Sequence, residues 1–142
     1  MSNDDVRVSR ERATAIRDEH ARLRMLLERV RAETDLRQLV PLLGQLRKQL
    51  VEHFATEEAP DGFPAAVQTQ PRFASLLEEV LQEHRQFLGQ VDEIRDRVRR
   101  CVEDGDRAHA AAVALAAELH EHEIKENELL IDIAYTDLGE AD

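Results

Sequence analysis

Residues 39–58 read LVPLLGQLRKQLVEHFATEE. Leu39, Leu43, Leu46, Leu50, His53 and Glu57 recur at steps of three and four, the spacing that stacks side chains on one face of an α-helix. The apolar stripe therefore runs into an imidazole and then a carboxylate. Four residues turn a helix about 40° past a full rotation, so His53 and Glu57 share a face and can reach one point.

Working outward, Thr34 and Asp35 offer a cap for this helix. Pro41 lies inside the span and either marks a later start or bends the first turns, because proline lacks a donor and crowds the preceding carbonyl. Ala59-Pro60-Asp61-Gly62-Phe63-Pro64 carries turn residues in quick succession, which predicts a stop just past Glu57 and Glu58 and a loop to about Gln70.

Upstream, Ile16, His20, Leu23, Leu27 and Val30 predict a helix from about Val8 to Glu33. Downstream, Leu77, Val80, Leu81, His84, Leu88, Val91, Ile94 (or Arg95) and Val98 predict another from Pro71 to about Glu103. Asp104-Gly105-Asp106 is read as a break, with Asp106 capping a last helix. Its stripe is Leu115, Leu119, His122, Glu126, Leu129, Leu130 and Ile133, ending near Tyr135 and Gly139.

Four helices with short first and third connections predict an all-α fold, an antiparallel up-down-up-down four-helix bundle. One domain is expected over residues 1–142, with its core at about 8–135. Composition agrees: 42% hydrophobic and 35% charged residues, no Trp and only 5 Gly and 4 Pro favour long amphipathic helices over a sheet.

A formal net charge of −11 opposes binding to nucleic acid or to anionic membrane surfaces. A single cysteine, Cys101, excludes an internal disulfide and suits a reducing compartment. The acidic start Met1-Ser2-Asn3-Asp4-Asp5 lacks the basic-then-apolar pattern of a secretion signal, and the longest apolar stretch, Ala110 to Ala117, is too short to span a bilayer. A soluble cytoplasmic protein is the expectation.

Any one histidine on an apolar helix face is ordinarily a core residue whose nitrogens find partners. Here four of them, His20, His53, His84 and His122, stand one to each predicted helix, and two are followed four residues later by Glu57 and Glu126. Burying two carboxylates unpaired costs several kcal/mol, and a metal would supply the missing compensation. Imidazole nitrogen with carboxylate oxygen suits iron, manganese or zinc, whereas magnesium or calcium wants more oxygen ligands. The absence of clustered cysteine argues against a zinc knuckle or an iron–sulfur centre. Ferritin-like di-iron bundles use Glu-x-x-His, and no histidine here has Glu three places before it. The rival reading is a non-catalytic interaction bundle whose histidines are structural or bind zinc.

The segments Asp18–Leu23, Glu52–Glu58, Glu83–Leu88 and His122–Asn127 make the chain resemble the hemerythrin-like (HHE cation-binding) family, in its His, His-x-x-x-Glu, His, His-x-x-x-Glu variant. The likeness spans roughly His20 to Ile133. It implies a four-helix bundle around two iron ions, with His20, His53, His84 and His122 as terminal ligands and Glu57 and Glu126 as bridges. Two six-coordinate irons need twelve bonds; four His, two bridging Glu and a bridging oxide or hydroxide supply ten, leaving two positions open. The oxygen carriers of the family are similar but add a histidine four residues away on the third helix and place Asp five residues after the last His. Here those positions hold Val80, Leu88 and Asn127, so the resemblance points away from reversible oxygen carriage. It points instead to binding, sensing or weak redox reaction with dioxygen, peroxide or nitric oxide, in a stand-alone domain.

Among the remaining polar residues, His120 lies about 200° around its helix from His122 and makes a poor fifth ligand. His109 is expected at an exposed helix start. Glu58 and Glu121 sit about 100° off the metal-facing stripe and suit an outer shell or the surface. Glu19, Glu52, Glu83 and Glu121 each directly precede a predicted ligand histidine. Each could steady a ring on a neighbouring helix, but a solvated face is the preferred reading in so acidic a chain. Tyr135 and Cys101 are assigned no function.

Overall fold

The computed structural model describes Val8 and residues 10–140, with side chains through Tyr135; the acidic start at 1–5 lies outside them. The elements are α1 (Arg10–Ala32), α2 (Leu36–Glu58), α3 (Phe63–Thr69), a 3-10 turn at Pro71–Phe73 and α4 (Ala74–Glu140). No strand occurs among the described residues, so the all-α expectation holds. The chain divides into two units, residues 1–102 and 103–142.

In the first unit, α2 begins where its cap predicts. The Asp35 carboxylate accepts from the Arg37 amide at 2.9 Å, and the Asp35 carbonyl accepts from the Leu39 amide at 3.0 Å. Pro41 is therefore inside the helix rather than at its start. Helices α1 and α2 are antiparallel, since side-chain partners advance along one as they retreat along the other: Arg12 meets Asp61 at 3.0 Å and Glu19 meets His53 at 2.7 Å. The first part of α4 runs antiparallel to α2 by the same test. Arg47 grips Asp92 through two bonds of 2.6 and 3.2 Å, while His84 reaches back to Glu57.

Between these three helices lie Leu23, Leu26, Leu42, Leu43, Leu46, Val91 and Val98. Each such side chain contributes roughly 1.5–3 kcal/mol on burial, which makes this layer the main anchor of the unit. Of the two positions left open on the α4 stripe, Arg95 is the one against α2, its guanidinium packed over Gly44. Ile94 remains exposed.

Two expectations need correction. The stretch after α2 is not a loop throughout: Phe63–Thr69 forms α3, with Pro64 in its first turn. Proline there loses nothing, because the first amides of a helix have no intrahelical partner, and it pre-sets the backbone angle. The expected break at Asp104-Gly105-Asp106, with Asp106 as a cap, is also absent; α4 is helical from Ala74 to Glu140. Residues 103–140 therefore do not form a separate fourth helix.

The physical reason is a small balance. One glycine in a helix interior costs about 1 kcal/mol relative to alanine. Against it stand Arg107, paired back to Asp104 at 3.1 Å and to Glu103 at 3.9 Å, and the alanine-rich run that follows, whose helix propensity is the highest available. Among the described residues, no helix is long and apolar enough to cross a membrane.

Candidate metal centre

The site of the first unit is built around the Glu57 carboxylate, which is 5% exposed on the last turn of α2. Three imidazoles from three helix segments face it through Nε2: His53 at 2.8 Å, His84 at 3.5 Å and His20 at 3.7 Å. Ligand atoms of His20, His53 and Glu57 all lie within 4.8 Å of one another. Neighbouring ligands about 2.1 Å from one metal, at right angles, sit about 3 Å apart, so this grouping is of the size a cation needs.

His53 is held on both sides. Its Nδ1 lies 2.7 Å from a Glu19 oxygen, and the other Glu19 oxygen accepts from the Thr56 hydroxyl at 2.8 Å. A neutral imidazole carries one N–H, and Glu19 is placed to take it, which leaves the Nε2 lone pair pointing at the Glu57 oxygen. Two acceptors at that distance call for a shared proton or a cation between them. The donor set thus fits a metal by its own chemistry.

His84 is fixed differently, by stacking on Phe54 with ring centroids 3.8 Å apart and planes 10° from parallel. Its buried Nδ1 makes no hydrogen bond, and the nearest carboxylate oxygen, on Glu58, is 3.5 Å away. His20 meets His53 edge to face at 4.5 Å and is the most open of the three, with 45% of its side chain exposed.

Electrostatics show what the cluster lacks. Burial pushes the Glu57 carboxyl above its usual range, outweighing the attraction of His53, while Glu19 and Glu58 push it further. Burial holds His20 below 6.5, reinforced by His53 and Arg24, and burial likewise lowers His84 against the pull of Glu58. A carboxyl that burial keeps from ionising, beside imidazoles that burial keeps neutral, is a site short of positive charge; a bound cation favours the carboxylate and takes up the neutral rings' lone pairs.

Of the six predicted ligands, the first unit brings together His20, His53, Glu57 and His84. His122 and Glu126 lie in the second unit, in contact with each other across one helical turn and both exposed. His84 and His122 share α4, so the four histidines do not occupy four separate helices. His120 and His109 are exposed in the second unit. Sequence reasoning preferred a solvated role for Glu19, whereas it orients His53; the Thr56 hydroxyl and the Phe54 ring were not singled out. The available signal was their place in the stretch Glu52–Glu58 itself, since residues flanking a predicted ligand are the ones that reach its neighbours.

The family model for the hemerythrin HHE cation binding domain matches residues 12–135. The chain belongs to this family. No curated protein and no solved structure matches it. For a hemerythrin HHE domain, cation binding is the shared property, and the grouping around Glu57 is where the first unit of this chain can provide it.

Proposed function

We propose that this hemerythrin-like chain holds two iron ions and binds, senses or reacts with a small ligand: dioxygen, peroxide or nitric oxide. The observation that carries the reading is the buried Glu57 carboxylate, ringed by three imidazole nitrogens, with no Lys or Arg paired to it among the described residues. Retaining such a carboxylate without a counter-charge is strongly destabilising, so a cation is its natural partner.

In this reading His20, His53, His84 and His122 would hold the irons through imidazole nitrogen and Glu57 and Glu126 through carboxylate oxygen, and the helix segment carrying His122 and Glu126 would complete an antiparallel four-helix bundle. Bound iron would supply redox change and open positions for a small ligand. The chain's residues do the rest. Glu19 steadies His53 through its Nδ1 at 2.7 Å, and Phe54 stacks on His84, sets its plane and shields one face of the ring from water. The partial exposure of His20 leaves one side accessible to a small molecule.

The test is iron per chain and optical absorption of protein purified from iron-rich medium, before and after exposure to oxygen, peroxide and nitric oxide. About two irons per chain with charge-transfer bands that respond to one of the three supports the proposal. Substoichiometric iron without such bands overturns it.

A further inference from the structure

Glu57 and Glu58, the last two residues of α2, face one imidazole from two sides. Consecutive residues on a helix point about 100° apart, and here that divergence spans the His84 ring. A Glu57 oxygen lies 3.5 Å from its Nε2 and a Glu58 oxygen 3.5 Å from its Nδ1. Phe54, stacked on the ring with centroids 3.8 Å apart, fixes the plane. The ring is confined, but the place of its proton is left to the two carboxylates.

Burial lowers the His84 pKa from 6.5, so at physiological pH the ring is neutral, with one N–H to donate and one lone pair to offer. A carboxylate stands at the same distance from each nitrogen, so two tautomers compete. The Nε2–H form donates to Glu57 and turns a proton, not a lone pair, toward the carboxylate around which the cluster is built. The Nδ1–H form leaves the Nε2 lone pair free for a cation held there. It also needs an acceptor, because Nδ1 is buried and makes no hydrogen bond, and a buried donor left unmet is destabilising. Among the described residues, the carboxylate within reach of Nδ1 belongs to Glu58.

Two features suit Glu58 to that task. Its side chain is 42% exposed, so it is free to move, and an approach of about 0.5 Å brings the pair to hydrogen-bonding distance. It also stands where a carboxylate is disfavoured: at the C-terminal end of a helix, whose dipole repels negative charge, and next to Glu57, whose ionisation it opposes. A local preference broken in this way points to a role outside stability.

We propose that Glu58 is a positioning residue: it accepts a hydrogen bond from Nδ1–H of His84 and so presents the Nε2 lone pair to a cation bound at Glu57. An outer carboxylate on a ligand histidine sets its tautomer and ring orientation in this way. The service to a cation rests on the function proposed above, whatever the number of ions; the choice of tautomer does not. The end of α2 then supplies both an oxygen for the ion and the oxygen that orients the ring opposite.

Two measurements on the full-length chain test this role. In metal-free protein above pH 6.5, where the ring is neutral, nitrogen NMR of labelled histidine reads which ring nitrogen carries the proton, the His84 signals being those lost in His84→Asn. Protonation at Nδ1 is expected in the wild type and in Glu58→Gln, whose amide oxygen accepts the same bond. Protonation at Nε2 is expected in Glu58→Ala, where Glu57 is the acceptor left. The same tautomer in the wild type and Glu58→Ala overturns the proposal. In titrations with cobalt(II), Glu58→Ala is expected to bind about 10–100-fold more weakly than the wild type, and Glu58→Gln to recover most of that loss. Glu52→Ala removes the same charge from an exposed position of the same helix and is expected to match the wild type. Unweakened binding in Glu58→Ala overturns the proposal, and so does equal weakening in Glu58→Gln or in Glu52→Ala, which would mark a general effect of charge. If the wild type takes up no cobalt while the tautomer still depends on Glu58, the metal reading fails and the positioning of His84 stands.

Discussion

Glu19 shows how much a metal site depends on side chains that do not touch the metal. Its carboxylate lies 2.7 Å from His53 Nδ1 and accepts from the Thr56 hydroxyl, so it holds the His53 ring in place. Replacing Glu19 by Ala is expected to leave the helices intact by circular dichroism but weaken cation binding about 10–100-fold, measured by titration with iron or a substitute ion. Glu57 gives a prediction of opposite sign for the metal-free protein. Its folded-state pKa lies above the ordinary 4.5, so its contribution to stability is present below pH 4.5 and lost as the pH rises through that value. His20 and His84 are lowered from 6.5, so theirs is present above pH 6.5 and lost as the pH falls below it. At neutral pH the ionising carboxyl is thus the burdened group. The Glu57→Gln substitution is expected to raise the melting temperature of the metal-free protein at pH 7 and to abolish the further rise on adding metal. A lower melting temperature without metal would show that Glu57 is not burdened.

At the scale of elements, two glycines act in opposite ways. Gly62 turns the chain back over the end of α2, and a Cβ there would collide with the backbone carbonyl of Glu57. The Gly62→Ala substitution should therefore destabilise the fold by about 1–3 kcal/mol in denaturant unfolding, as forced overpacking does. Gly105 has open space around it and sits in a helix it only weakens. The Gly105→Pro substitution removes a donor and clashes with the preceding turn, costing about 3 kcal/mol of helix. It is expected to break α4 and lower the helical ellipticity measured by circular dichroism. The helices themselves were legible from their three-and-four residue steps, but the signals that end helices were overread twice. Gly62-Phe63-Pro64 also begins one, and Asp104-Gly105-Asp106 costs too little to stop one flanked by alanines and a bridging arginine.

For the whole molecule, each unit leaves apolar side chains exposed, Leu27 and Phe87 in the first and Leu115 and Leu119 in the second. Replacing both Leu115 and Leu119 by Ser, at positions 54% and 58% exposed, is expected to leave the helix content unchanged by circular dichroism. Under the proposed function the same substitutions are expected to weaken metal-dependent stabilisation, although every predicted ligand is still present. Unchanged metal-dependent stabilisation would show that these leucines face water in the metal-loaded protein.

The sequence by itself determined the helical class, the faces of the helices and the family, because periodicity and the His-x-x-x-Glu spacing are local properties that one helix enforces on its own residues. It also carried the grouping of His20, His53, Glu57 and His84, since each lies on a stripe that has to be buried somewhere. Only the tertiary structure decided that Glu19 and Phe54 orient the rings, that Phe63–Thr69 is helical, and that α4 passes through Asp104-Gly105-Asp106 unbroken. Those outcomes turn on contacts between residues far apart in the chain, or on differences of about 1 kcal/mol between neighbouring propensities. Neither kind of balance is written in the spacing of a single stretch.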